Sequence, residues 1–207
     1  MKNFYIFFLI VISSCSSHNE SQEIQTTQRI DLGEIESDKI LEASGLASSR
    51  FNQNILWTHN DSGDSNRIFA MDINGNHVGE FLLNNTENRD WEDIAIGPGP
   101  MEGVDYIFVG DIGDNRSEND VKHIYRFVEP QVYTNNQSSE TNINNIESIS
   151  YQYEDGNRDA ETLIVDPITK DIIIISKREE SAVHVYLLPF PHDTENILTA
   201  QLIMTKD

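Results

Sequence analysis

At three places an acidic residue, a spacer and a polar residue lead into a short apolar strand, and this internal repeat constrains the fold more than any other feature. Asn88-Arg89-Asp90-Trp91-Glu92-Asp93-Ile94-Ala95-Ile96 recurs as Asn157-Arg158-Asp159-Ala160-Glu161-Thr162-Leu163-Ile164-Val165, and Glu42-Ala43-Ser44-Gly45-Leu46-Ala47 is a weaker third copy. A repeated unit cannot bury its apolar face alone, so successive copies must stack on shared cores. Further apolar runs follow each copy, bounded by Gly, Asn, Asp and Pro and without a helical period. Second strands are expected at Ile55 to Asn60, Tyr106 to Asp111 and Ile172 to Lys177. Third strands fall at Ile68 to Asp72, His123 to Val128 and Ala182 to Leu188, and outer strands at His77 to Leu83, Ile149 to Tyr153 and Ala200 to Thr205.

Three units of four short strands are the pattern of β-propeller blades. The sequence therefore reads as all-β, with about three four-stranded antiparallel blades in residues 29–207. Propellers close with about four to eight blades, so this reading predicts a C-terminally truncated chain whose full form has about six. Arg29 to Ile35 would supply the outer strand of the last blade. A complete sandwich of about a dozen strands is the alternative. The polar stretch Tyr133 to Asn145 is expected to be a surface excursion, and Trp57 and Trp91 to pack between blades.

Lys2, the apolar run Phe4 to Ile12 and then Ser13-Ser14-Cys15 make an export leader too short to span a bilayer as a helix. Ile12-Ser13-Ser14-Cys15 resembles a bacterial lipobox, which implies that residues 1–14 are a lipoprotein signal peptide and that acylated Cys15 anchors the chain to the lipid bilayer of the cell envelope. The same resemblance, with no Asp after Cys15, favours the outer membrane. An ordinary secretory signal is the alternative. Cys15 is the sole cysteine, so no intrachain disulfide forms. Residues 15–28 are polar and read as a tether.

Charge removes one class of partner. The chain has 14 Lys+Arg against 35 Asp+Glu, a formal net charge of −21, and no basic stripe to neutralise phosphates, so nucleic acid is excluded.

Several phrases resemble those of exported, largely uncharacterised bacterial propeller proteins, a group broadly similar to phytase-like and NHL-type six-bladed propellers. They are Ala43-Ser44-Gly45-Leu46-Ala47, Asn60-Asp61-Ser62-Gly63, Asn88 to Ala95, Val109-Gly110-Asp111-Ile112-Gly113-Asp114-Asn115 and Arg158-Asp159-Ala160-Glu161. The resemblance runs from about Leu41 to Leu188 and implies the fold far more than a reaction. The full ligand set of a propeller phytase does not map onto these positions.

Equivalent polar residues of successive blades should meet near the axis, which nominates Asp90, Glu92, Asp159 and Glu161, with Glu42 and Ser44 from the weaker copy and Asp111 from a second strand. Converging carboxylates repel unless a cation, a proton or a base compensates them. Hard oxygen ligands without a thiolate select Ca²⁺, with Mg²⁺ behind it. The competing reading makes these acids acceptors for backbone amides, with Arg89 and Arg158 as ion-pair partners. The loops Asn60 to Asn66 and Asp111 to Asp120 do not fit the EF-hand pattern and also suit plain turn chemistry. His59, Asp111 and Lys177 read as rough equivalents at the channel rim. His59 is then a candidate base, and Lys177 or Arg178 a candidate for holding an anionic substrate group. The blander alternative hydrogen-bonds His59 to a turn and pairs Lys177 with Glu161 or Glu179.

Three functions follow: a lipid-anchored module whose acidic mouth takes a divalent cation and a small ligand, a metal-assisted hydrolase of phytase-like or esterase-like type, and a scaffold for protein partners.

Overall fold

The described residues of this computed structural model, 31–133, 140–177 and 182–206, form strands and no helix. In chain order these are β1 (Ala43–Ser48), β2 (Ile55–Asn60), β3 (Arg67–Asp72), β4 (His77–Leu83), β5 (Trp91–Pro98), β6 (Asp105–Asp111) and β7 (Lys122–Val128). They continue as β8 (Glu140–Ile143), β9 (Glu147–Tyr153), β10 (Asp159–Val165), β11 (Ile172–Lys177), β12 (Val183–Leu188) and β13 (Leu198–Lys206). The architecture is all-β in two sheets, ordered β1-β2-β3-β4-β8 and β10-β11-β12-β13-β9-β7-β6-β5.

Each copy of the repeat opens an antiparallel run: β1 to β4, then β5-β6-β7-β9, then β10 to β13. The second and third runs join through parallel pairing of β9 with β13, and the two end strands of that sheet, β5 and β10, lie against one another. β1 lies against β5 in turn, so the three strands that begin the repeats are neighbours.

Strand periodicity explains how the runs stack. In β6, Tyr106 and Phe108 point into a core shared with β9 to β13, while Ile107 and Val109 point into a core shared with β1 to β4. β7 divides likewise, with Ile124 on one side and Tyr125 and Phe127 on the other. The middle run is thus apolar on both faces, which is why β6 is a continuous apolar run rather than an alternating one. Trp57 and Trp91 are fully buried in the core between the first and second runs, where Trp57 meets Phe81 edge-on at 5.0 Å.

One expectation needs correction, and a second finds no partner strand. The stretch Tyr133 to Asn145 is not simply an excursion, because β8 within it adds in parallel to β4, and Ile143 packs against the first core. Residues 134–139 lie outside the described ones. No strand forms from Asp31 to Ile35, and Arg29 and Ile30 lie outside the described residues. The strand that this stretch would join, in the last blade, is not among the described ones; residues 34–36 rest on the β3–β4 turn, where the Glu36 amide donates to the Gly75 carbonyl at 2.9 Å. Gly75, at φ 85°, leaves no room for a Cβ against the Glu34 carbonyl.

Glu129 fastens the β1–β2 turn to the end of β7. Its buried carboxylate accepts from the amides of Arg50 and Phe51 at 3.2 and 3.1 Å, from Ser49 Oγ, and from Trp57 Nε1 at 2.8 Å. Glu129→Ala strands the buried indole N–H and should cost about 2–4 kcal/mol. Urea unfolding followed by tryptophan fluorescence should show a lower midpoint at unchanged slope.

Candidate carboxylate site

The site forms where the repeats begin. Each of β1, β5 and β10 slips register against its second strand at the same point of the repeat: between Ala43 and Leu46, between Trp91 and Asp93, and between Ala160 and Thr162. A β-bulge leaves its extra residue outside the ladder and turns that side chain away from the regular alternation. The residues so released are Glu92 and Glu161, with Ser44 and Gly45 in the weaker copy. Side-chain bonds stitch the bulges together. Ser44 Oγ donates to the Glu92 carbonyl at 2.8 Å, joining β1 to β5, and Asp93 Oδ2 accepts the Leu163 amide at 2.8 Å, joining β5 to β10.

Oxygens converge as a result. Asp61, Asp90 and Glu92 each offer one within 4.8 Å of the others, and so do Glu92, Asp159 and Glu161. Glu92 belongs to both groups, is only 6% exposed, and its carboxylate has no hydrogen-bond or ion-pair partner among the described residues. Gly113 presses on it from above: a Cβ there would stand 2.5 Å from both Glu92 Oε1 and Asp90 Oδ2. The Gly113 amide donates to the Asp90 carbonyl at 3.1 Å, which holds this close approach in place.

The electrostatics follow from the crowding. Burial, and then the charge of Asp61, push the Glu92 carboxyl up to about 7; Lys177 opposes this, while Asp90 and Asp159 add to it. Asp90 is also raised, by burial and by Asp61 and Asp159. Asp114, just beyond, goes the other way. Burial alone would raise it, but the hydrogen bond from Lys122 and the amides of Asn119 and Glu118 bring it down to about 2.

Of the residues nominated by sequence, Asp90, Glu92, Asp159 and Glu161 come together. Asp111 does not join the converging oxygens: it is buried, accepts the Asp90 amide at 2.9 Å and lies 3.5 Å from Arg89 Nε. Its ladder position opposite Trp91 puts it one level below the bulge. Glu42 is exposed and lines a separate cavity of about 550 Å³ with Asp38, Asp64 and Arg67. Lys177 pairs with Glu161, and Arg178 and Cys15 lie outside the described residues. His59 is fully buried, edge-on to Trp91 at 5.7 Å, with Nδ1 2.9 Å from the Asn60 carbonyl; burial holds its pKa down.

The three rim residues are not register equivalents. Asn60, Asp111 and Ser176 share one ladder level, with His59 one step before it and Lys177 one step beyond. Asp61 is the site residue that sequence reasoning did not nominate by itself, its loop being read as a turn or a weak calcium chelator. Its signal was the phrase Asn60-Asp61-Ser62-Gly63 at the end of a second strand, on the side to which the bulges also point.

A second cavity, of about 470 Å³, opens beside the cluster and is lined by Ser62, Arg89, Asp90, Gly113 and Arg116 among others. The chain matches no protein-family model, and no curated protein matches it by sequence.

Because the unfolded chain releases the Glu92 proton near its ordinary 4.5 and the folded protein keeps it to about 7, Glu92 favours folding fully below pH 4.5 and loses that contribution as pH rises through 7. Buried His192, held down at about 4, acts oppositely over much of that window, so the Glu92 part is read as a difference between variants. In EDTA, Glu92→Gln should gain up to about 2–3 kcal/mol on wild type between pH 5 and 8 in urea unfolding. Parallel pH profiles for the two proteins would contradict the assignment.

Proposed function

We propose that the protein is a lipid-anchored module of the cell envelope that binds a divalent cation, Ca²⁺ ahead of Mg²⁺, through Glu92 with Asp61 and Asp90, Asp159 and Glu161. Glu92 carries this reading: a carboxylate that is buried, without a partner among the described residues and surrounded by others of its charge is compensated at neutral pH by a cation. Ligand chemistry favours calcium. The set is all carboxylate oxygen, and calcium takes about 6–8 oxygens in flexible geometry, whereas magnesium demands a near-ideal octahedron and keeps several of its waters.

The fold is read as three adjoining propeller blades. Support comes from the three antiparallel runs, each opened by one copy of the repeat, and from the contact of β5 with β1 and with β10, the three becoming the channel-lining strands. The cation then lies at the mouth of the channel, and the envelope location rests on the leader and on Cys15. The neighbouring 470 Å³ cavity gives a small ligand room beside the cation, with Arg89 and Arg116 among its lining residues. That cavity is what favours metal-assisted hydrolysis as a second reading, in which Lys177 would have to leave Glu161 to meet a substrate.

Thermal unfolding of the full chain at pH 8 in EDTA, then in calcium or magnesium, tests the proposal. A native-state ligand at about a hundred times its Kd stabilises by about 2.7 kcal/mol, or roughly 5–10 °C for a chain of this size. Calcium should give that rise, magnesium a smaller one, and Glu92→Gln should abolish both. Equal melting temperatures in EDTA and calcium would overturn the cation site and favour a scaffold for protein partners. Calcium-dependent turnover of a model phosphoester, lost in Glu161→Gln, would establish the hydrolase.

A further inference from the structure

Lys122 is a fully buried lysine at the first position of β7, in a chain with only 14 Lys+Arg. Its Nζ lies 2.6 Å from Asp114 Oδ2 and 2.9 Å from the Asn119 carbonyl. Asp114 in turn collects the rest of its own loop, accepting the amides of Glu118 at 3.0 Å and Asn119 at 2.9 Å and the Asn119 side chain at 3.0 Å. The ammonium therefore sits at the centre of the turn formed by residues 113–119.

Stability alone is a poor reason for such an arrangement. Desolvating both charges offsets most of their attraction, and an apolar pair of similar volume often serves as well or better. What the ion pair does hold is the backbone position of the loop, and that backbone faces the carboxylates at two successive residues. The Asp114 amide donates to Asp159 Oδ1 at 2.8 Å, while the Gly113 amide donates to the Asp90 carbonyl and its Cα closes over Glu92 and Asp90. Asp159 is itself 3% exposed, and this amide holds one of its carboxylate oxygens.

We infer that Lys122 is a positioning residue of the cation site: by clamping Asp114 it fixes the 113–119 loop, whose amides orient Asp159 and Asp90 and whose Gly113 closes over Glu92. This rests on the cation-binding reading. Groups that orient metal-ligating carboxylates typically change affinity by about 10–100-fold when removed.

Calorimetric titration of the full chain with calcium alone, at pH 8 and at a temperature where each protein is folded, measures the effect. Lys122→Met should bind calcium about 10–100-fold more weakly than wild type. A variant that melts lower in EDTA yet binds calcium with the wild-type Kd would show a purely structural ion pair and overturn the inference while leaving the cation site standing. Should Lys122→Met not fold, the double variant Lys122→Met with Asp114→Asn removes both charges together; the same weakening is expected, and wild-type affinity would again overturn the inference. Absence of calcium binding by wild type would overturn the cation site and this inference with it.

Discussion

The repulsion among carboxylates at Glu92 is the constraint around which the described structure is arranged. A regular ladder would alternate the side chains of β5 and β10 between the two cores and keep the acids apart. The bulges break that alternation at the same point of each repeat, and the bonds from Ser44 and Asp93 stop the strands from separating in response. The like charges are thus forced together by hydrogen bonds and packing elsewhere, which is how strain at a functional site is ordinarily maintained.

The packing elsewhere supplies that rigidity. β6 and β7 feed alternate residues into two cores, so the middle run cannot shift without disturbing both neighbours. From this layer come the loop carrying Gly113 and Asp114 and, through β7, the buried Lys122 that holds it. The first run contributes the loop end bearing Asp61, and the third contributes Asp159 and Glu161. A site made by three runs inherits its geometry from how they stack rather than from any one segment.

Much of this was legible in the residues. The strands at Ile55–Asn60 and His77–Leu83 are bounded by Asn at both ends, and Ile172–Lys177 runs from Asp171 to a charged stretch, so their bounds could be read directly. Glu92 and Glu161 were legible because they recur at one place in a repeat. The misses have physical causes. β8 is polar along most of its length and exists only because β4 offers it an edge, so no local pattern announces it. Lys122 and Arg67 open strands as charged residues, where burial depends on tertiary partners rather than on the chain's own period. Asp111 resembles a ligand in sequence, but ladder register aims it beneath the cluster; Asp61 resembles a turn residue, and the stacking of the runs brings it in.

The most direct test of the account is a crystal structure of the protein grown in calcium at pH 8. It should show a cation about 2.3–2.6 Å from Glu92 and from the oxygens of Asp61 and Asp90 or of Asp159 and Glu161. No cation there, with Glu92 protonated and donating to a neighbouring carboxylate, would contradict it.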